Sequence, residues 1–207
     1  MNKKRSIPVI DLFAGPGGLC EGFASLTREG KREFDIRISI EKDPVAHKTL
    51  SLRALFRSFP VNKVPEAYYQ YIRGEISRHQ MEMDPAVEPY VQKAYNEARC
   101  AELGKDDSRE IDRWIREALH EATDWVLIGG PPCQAYSLAG RSRMRGNNPV
   151  EFEADNRHFL YREYLRIIKD FSPSIFVMEN VKGMLTSQHS GSLIFERILS
   201  DLQSPGN

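Results

Sequence analysis

The stretch IGGPPCQAYSLAGR at 128–141 sets Cys133 directly behind Pro131 and Pro132, with Gln134 after it. A thiol on a stiff proline turn at the end of an apolar run is placed to act as a nucleophile, because the turn removes the entropy of aiming it. A lone cysteine is more often a small buried apolar side chain, which is how Cys20 and Cys100 read. A second pair, Glu179 and Asn180, follows the apolar run SIFVM. A carboxyl there can give or take a proton, and Asn180 suits the turn that aims it. The turn DLFAGPGG at 11–18 is a third feature, and it lacks both the Lys-Ser/Thr ending of a phosphate loop and the G-x-G-x-x-G spacing of a dinucleotide site. Its glycines let the backbone approach a ligand, although they serve equally to turn a strand into a helix. Glu41, ending the next apolar run, is where a carboxylate accepts hydrogen bonds from both hydroxyls of a ribose. Together they suit a nucleoside without phosphates. Arg141, Arg143 and Arg145, between Gly140 and Gly146, read either as a mobile loop closing over phosphates or as a solvated charged loop.

These residues sit at the ends of runs that read as strands: 8–13, 34–41, 124–130 and 174–180. Helical patterns alternate with them, which predicts an α/β fold with a mostly parallel sheet and helices on both faces. Leu19, Phe23 and Leu26 mark one helix; Val45, Thr49, Leu52 and Leu55 mark another. Phe159, Leu160, Tyr164, Leu165, Ile168 and Phe171 form the apolar stripe of a third. The polar segment at about 60–122 breaks this rhythm and reads as a helical insertion, its strongest helix being 108–122 with Asp107 and Glu110 at the start. In an open parallel sheet ligands bind beyond the carboxyl ends of the strands, so the turns after four separate strands are expected on one rim.

At 207 residues the chain is expected to form a single domain, with the insertion inside it. Lys and Arg (29) balance Asp and Glu (29), so bulk charge draws it to neither nucleic acid nor membrane. The three cysteines show no CxxC spacing and the five histidines are scattered, which argues against a disulfide framework or a zinc site; no metal is expected. The start MNKKRSIPVI is too short in apolar residues for a signal peptide or membrane span, and a cytoplasmic location, at the nucleoid in a bacterium, is the expectation.

DLFAGPGG, GGPPCQAYS and MENV, in this order and spacing, resemble the cytosine-5 DNA methyltransferase family. The resemblance implies a Rossmann-like S-adenosylmethionine-dependent methyltransferase fold. It implies that Asp11, Phe13, Ala14, Gly15, Gly17, Gly18, Glu41 and Pro131 hold the cofactor, and Glu75, in the turn Gly74-Glu75-Ile76, is the nearest match to the family's adenine-contacting turn. Cys133 is similar to its nucleophile and Glu179 to its acid; Pro132, Gln134, Ser137, Arg141, Arg143, Asn180 and Val181 fall where substrate contacts are expected. Asn156, Arg157, Leu160 and Tyr164 are a weaker match to the helix before the ENV strand. The resemblance covers about 9–202 apart from the insertion and stops before the family's Q-x-R-x-R segment, target-recognition domain and closing helix.

The implied activity is transfer of a methyl group to carbon 5 of a cytosine flipped out of double-stranded DNA, in a restriction-modification or regulatory setting. Carbon 5 is a poor nucleophile until a thiolate adds at carbon 6 and breaks the ring's conjugation. A protonated carboxylic acid near N3 then neutralises the ring, and the apolar strand before Glu179 is expected to withdraw that carboxyl from water. The chain alone is expected to be inactive or nearly so and to need its missing part or a second polypeptide. The alternatives are RNA as the substrate, or a non-catalytic cofactor-binding subunit or remnant. A Cys-dependent hydrolase lacks a histidine in a supporting motif.

Overall fold

A computed structural model of the chain describes residues 6–131, 160–180, 188–189 and 192–203. β1 (Ile7–Leu12) leads through the glycine turn into α1 (Gly18–Ser25), and a small hairpin of β2 (Thr27–Arg28) and β3 (Lys31–Arg32) precedes β4 (Phe34–Glu41). Then come α2 (Pro44–Ser58), α3 (Glu66–Ile72), α4 (Arg78–Glu82), α5 (Glu88–Glu97), β5 (Ala98–Cys100) and α6 (Ser108–Leu119). β6 (Val126–Gly129), α7 (Tyr161–Phe171) and β7 (Ile175–Met178) follow, with β8 (Gln188–His189), β9 (Ser192–Leu193) and α8 (Ile194–Gln203) beyond. Among the described residues the main sheet is five-stranded, in the order β5-β4-β1-β6-β7, and every pairing in it is parallel. The chain runs outward from β1 to β4 and β5, then returns to the other side of β1 for β6 and β7. The strand order therefore reverses at β1, where a crevice opens at the carboxyl ends.

Both faces of the sheet are covered, as the near-continuous apolar runs require. Val9, Ile36, Val126 and Ile128 pack with Leu50, Ala54, Leu55, Tyr68, Met81 and Ala94 on one face. Ile10, Leu12, Ile38, Ile40 and Leu127 pack with Ile111, Ile115, Leu119, Trp125, Tyr164 and Ile167 on the other. The simple alternation of Ile36, Ile38 and Ile40 does not survive: Val9 pairs with Ile36 but Ile10 pairs with Ile38, leaving Arg37 as an extra residue. That bulge puts Ile36 on the first face and Ile38 and Ile40 on the second. On α2 the buried stripe is Leu50, Ala54 and Leu55, whereas Val45, in the first turn, is exposed. α1 ends at Ser25, so Leu26 lies beyond it and is also exposed.

The 60–122 segment is helical as expected and is built into the core. α3, α4 and α5 bury Ala67, Tyr68, Met81 and Ala94 against α2. Arg78 of α4 donates to Lys48 O (3.1 Å) and Ser51 Oγ (3.0 Å) on α2. The segment also extends the sheet, because β5 pairs with Ser39 to Glu41 of β4. α6 begins at Ser108, capped by Asp107 accepting from Arg109 N, and stops at Leu119, where His120 turns to φ 51°. β7 departs from expectation in its surroundings: Ile175 (59%), Phe176 (37%) and Val177 (38%) are exposed. No helix among the described residues is long and apolar enough to cross a membrane.

Candidate functional site

The glycine turn is pinned from both sides. Ala14 N donates to Ile40 O at 3.0 Å, and Gly15 N donates to Glu41 Oε2 at 2.7 Å. The other oxygen of Glu41 accepts from Asp43 N at 2.7 Å. Glu41 thus ties the β1 turn to the β4 turn, and each oxygen keeps a lone pair for a ligand hydroxyl. Phe13, Gly15 and Gly17 all take left-handed φ values of 56°, 55° and 86°. Phe13 is the costly one, since only glycine adopts this region freely, and such a residue is held there by its surroundings.

A pocket of about 230 Å³ opens beside this turn. Phe13, Ile40, Leu103 and Leu160 give it apolar walls, and Glu41, Asp43, Glu102 and Lys42 give it polar edges. Lys42 Nζ is held by Glu102 Oε1 at 3.0 Å, and Lys105 pairs with the same oxygen. The pocket thus combines apolar walls with a carboxylate at one edge, and the lysine beside it is paired with Glu102. Asp11 lies deeper, 1% exposed, on the α1 side of β1. Cys20, also fully buried, lies beside Asp11 and gives its hydrogen to Gly17 O (3.3 Å), which leaves the Asp11 oxygens without a well-formed hydrogen bond among the described residues. Burial pushes the Asp11 carboxyl up to about 7, partly offset by Cys20 and Arg57. Burial likewise pushes the Cys20 thiol up to about 12, which makes it inert.

Glu75 is not among the residues that line this pocket. It follows α3 on the surface, its carboxylate held by Arg73 Nε at 2.5 Å. The wall it was expected to supply comes from Ala101, Glu102 and Leu103, at the end of β5, with Ala101 N donating to Glu41 O (3.2 Å). Sequence reasoning missed these residues because a three-residue strand carries no periodicity. The one available signal was the polar turn GKDD, which follows Leu103 as turns follow the other strands.

The second half of the rim is built by β6 and β7. Tyr164 on α7 donates its hydroxyl to Val177 O (2.9 Å) and lies 3.2 Å from Leu127 O, which holds the two strands at a fixed separation. Glu179 N then donates to Gly129 O (2.9 Å), and Asn180 Nδ2 donates to Pro131 O (3.1 Å). The Glu179-Asn180 turn is strapped onto the turn that precedes Cys133 in the chain. Gly130 joins the two halves: it lines the pocket, and a Cβ on it would lie 2.8 Å from Glu179 Oε2. Glu179 is exposed, so β7 does not supply the withdrawal from water that its apolar sequence led us to expect. Pro132, Cys133, Gln134, Ser137, Arg141, Arg143 and Val181 lie outside the described residues, as do Asn156 and Arg157. Among the described residues no group of three or more His, Cys, Asp or Glu converges as a metal would need.

The family model described as C-5 cytosine-specific DNA methylase matches residues 80–206, more than half of the chain. Type II methyltransferase M.Bpa9945I of Bacillus paralicheniformis is 34% identical over 198 residues, covering 87% of this chain and 42% of that protein. Type II methyltransferase M.AquIA of Picosynechococcus is 29% identical over 197 residues, covering 95% of this chain and 56% of its own length. The solved structure of Entamoeba histolytica methyltransferase EhMeth aligns with a TM-score of 0.46 at 16% identity, over 96% of this chain and 44% of that one. The chain therefore spans about half the length of the curated relatives it matches. With its parallel sheet, its glycine turn bonded to Glu41 and Asn180 bonded to Pro131, the chain belongs to the C-5 cytosine-specific DNA methylase family.

Proposed function

We propose that the chain is the catalytic part of a DNA (cytosine-5-)-methyltransferase that uses S-adenosylmethionine. The observation that carries this reading is Gly130, which lines the pocket beside the glycine turn and also abuts the carboxyl of Glu179, immediately after β6 and three residues before Cys133. Methyl donor and attacked ring would meet at that point.

Glu41 would accept from the ribose hydroxyls; Phe13, Leu103 and Leu160 would face the adenine ring. The glycine turn, with Asp11 beneath it, would hold the rest of the cofactor. Bound there, S-adenosylmethionine supplies an electrophilic methyl group on a sulfonium. Cys133 adds as a thiolate to carbon 6 of the cytosine, forming a carbon–sulfur bond and leaving an enamine nucleophilic at carbon 5. Glu179, exposed in the free chain, would be covered by the flipped base and, once protonated there, would deliver its proton to N3 so that the ring does not carry the charge. Methylation of carbon 5 would break the sulfur–methyl bond and release S-adenosylhomocysteine; loss of the carbon 5 proton to a base then expels the cysteine thiolate, and return of the N3 proton to Glu179 restores the neutral aromatic ring. Arg141 and Arg143 would contact the phosphates of the flipped nucleotide's strand.

A further stretch of polypeptide, continuous with this chain or separate, would supply target recognition. The greater length of the relatives and the exposed apolar residues of β7 support this. The type II methyltransferases among those relatives favour a restriction-modification setting and DNA over RNA. The test is covalent trapping on double-stranded DNA containing 5-fluorocytosine, with S-adenosylmethionine, using the chain within its full reading frame or with the product of the neighbouring one. A cofactor-dependent adduct that disappears in Cys133→Ser is expected. An adduct that survives this substitution, or one formed on RNA and not on DNA, would overturn the reading.

A further inference from the structure

Arg57 stands near the end of α2, far in sequence from every motif, with its side chain only 4% exposed. Its guanidinium makes three contacts, to two carboxylates. Nε lies 3.1 Å from Glu97 Oε1, Nη2 contacts that same oxygen, and Nη1 contacts Glu21 Oε1. Glu97 is itself buried, whereas Glu21 is partly exposed. The same cation is close enough to favour the charged forms of Asp11 and Cys20, against the larger opposing effect of burial. Its backbone is held as well, because Arg32 Nη1 donates to Arg57 O at 3.0 Å.

The three helices joined by this contact each lead directly into a wall of the pocket. Glu21 lies in the first turn of α1, which starts at Gly18, where the glycine turn ends. Glu97 is the last residue of α5, and the three-residue β5 after it delivers Ala101 and Leu103. α2 starts just after Glu41 and its partner Asp43. A buried ion pair is a poor source of net stability, since the cost of removing its charges from water roughly cancels their attraction. An apolar side chain would fill the space as well, but without direction. What a planar fork hydrogen-bonded to one carboxylate and ion-paired with a second provides is a fixed distance between the groups it joins.

We propose that Arg57 is a positioning residue for the pocket: seated between Glu21 and Glu97, it holds the glycine turn and the 101–103 wall at the spacing that a bound nucleoside requires. The inference rests on the nucleoside reading of the pocket. The experiment compares the 207-residue chain with Arg57→Met and Arg57→Lys, and with Ile115→Val, a buried change in the core on the other face of the sheet that serves as the comparison for lost stability. Affinity for S-adenosylhomocysteine is measured by calorimetry, and amide hydrogen exchange is followed at Gly15, Gly17 and Leu127. Arg57→Met should bind about tenfold more weakly, the scale expected when a supporting group is lost and site geometry loosens. Its Gly15 and Gly17 amides should exchange faster, while Leu127 changes no more than in Ile115→Val. Arg57→Lys, which can keep one carboxylate but not both, should recover part of the affinity. Binding of Arg57→Met within twofold of the parent, or a loss matched by Ile115→Val at equal melting temperature, overturns the proposal. If the parent chain itself fails to bind, the nucleoside reading falls, and unchanged exchange at Gly15 would separately remove Arg57 from any hold on the turn.

Discussion

Replacing Gly17 by alanine tests the glycine turn where the structure makes it most demanding. Gly17 has φ 86° and ψ 29°, in the left-handed region that costs an alanine about 1 kcal/mol. A Cβ built there lies 2.9 Å from Leu50 Cδ1 and 3.3 Å from Cys20 Sγ, and both of those residues are fully buried. Neither can move into solvent, so the added methyl overpacks the core at a further cost of about 2 kcal/mol. Gly17→Ala should therefore lose about 3 kcal/mol in all, read as the shift of a urea unfolding midpoint at unchanged slope. Gly22, inside the same helix, provides the control: nothing lies within 4 Å of its Cβ position and it is exposed. Gly22→Ala should gain about 0.5–1 kcal/mol from the lower entropy of the unfolded chain. In Gly17→Ala/Leu50→Ala the clash is gone, so the two costs should fall short of adding by about 1 kcal/mol. The reasoning fails if Gly17→Ala unfolds at the parent's urea concentration, or if the two single costs add in full.

Two further predictions concern the carboxyl groups on the rim. Because burial raises Asp11 from 3.8 to about 7, the folded state prefers its protonated form; the group's contribution is complete below about pH 4 and is lost as pH rises through 7, on the order of 4 kcal/mol. Asp11→Asn, neutral at every pH, should unfold near the parent's urea midpoint at pH 4.5 and well above it at pH 8; parallel curves for the two proteins would refute this. At Gly130, a Cβ would lie 2.8 Å from Glu179 Oε2, the far end of a flexible side chain. Gly130→Ala should then keep its melting temperature within a few degrees of the parent's while slowing formation of the 5-fluorocytosine adduct about 100-fold, the scale of a lost acid. An adduct rate equal to the parent's would show that Glu179 works from another position.

The main strands, the glycine turn and its Glu41 partner were legible in the sequence because each announces itself locally: an apolar run, a cluster of glycines, an acid at a strand end. The covering of both sheet faces followed from the same runs. The 101–103 wall was not legible, because β5 is three residues long and acquires its role only by pairing with β4, more than fifty residues earlier. Glu75 matched a motif by residue type, but Arg73 holds it on the surface. The bulge at Arg37 was equally hidden, since alternation in a sequence does not say where a pairing register slips. Arg57 carried no signal at all; a buried arginine is recognisable only when the two carboxylates that justify its burial are seen beside it. Local covalent order thus determined which turns are candidates for the chemistry. Tertiary packing decided which of them meet, because hydrogen bonds such as Gly15 to Glu41 and Asn180 to Pro131 join residues that only the parallel sheet brings to one edge.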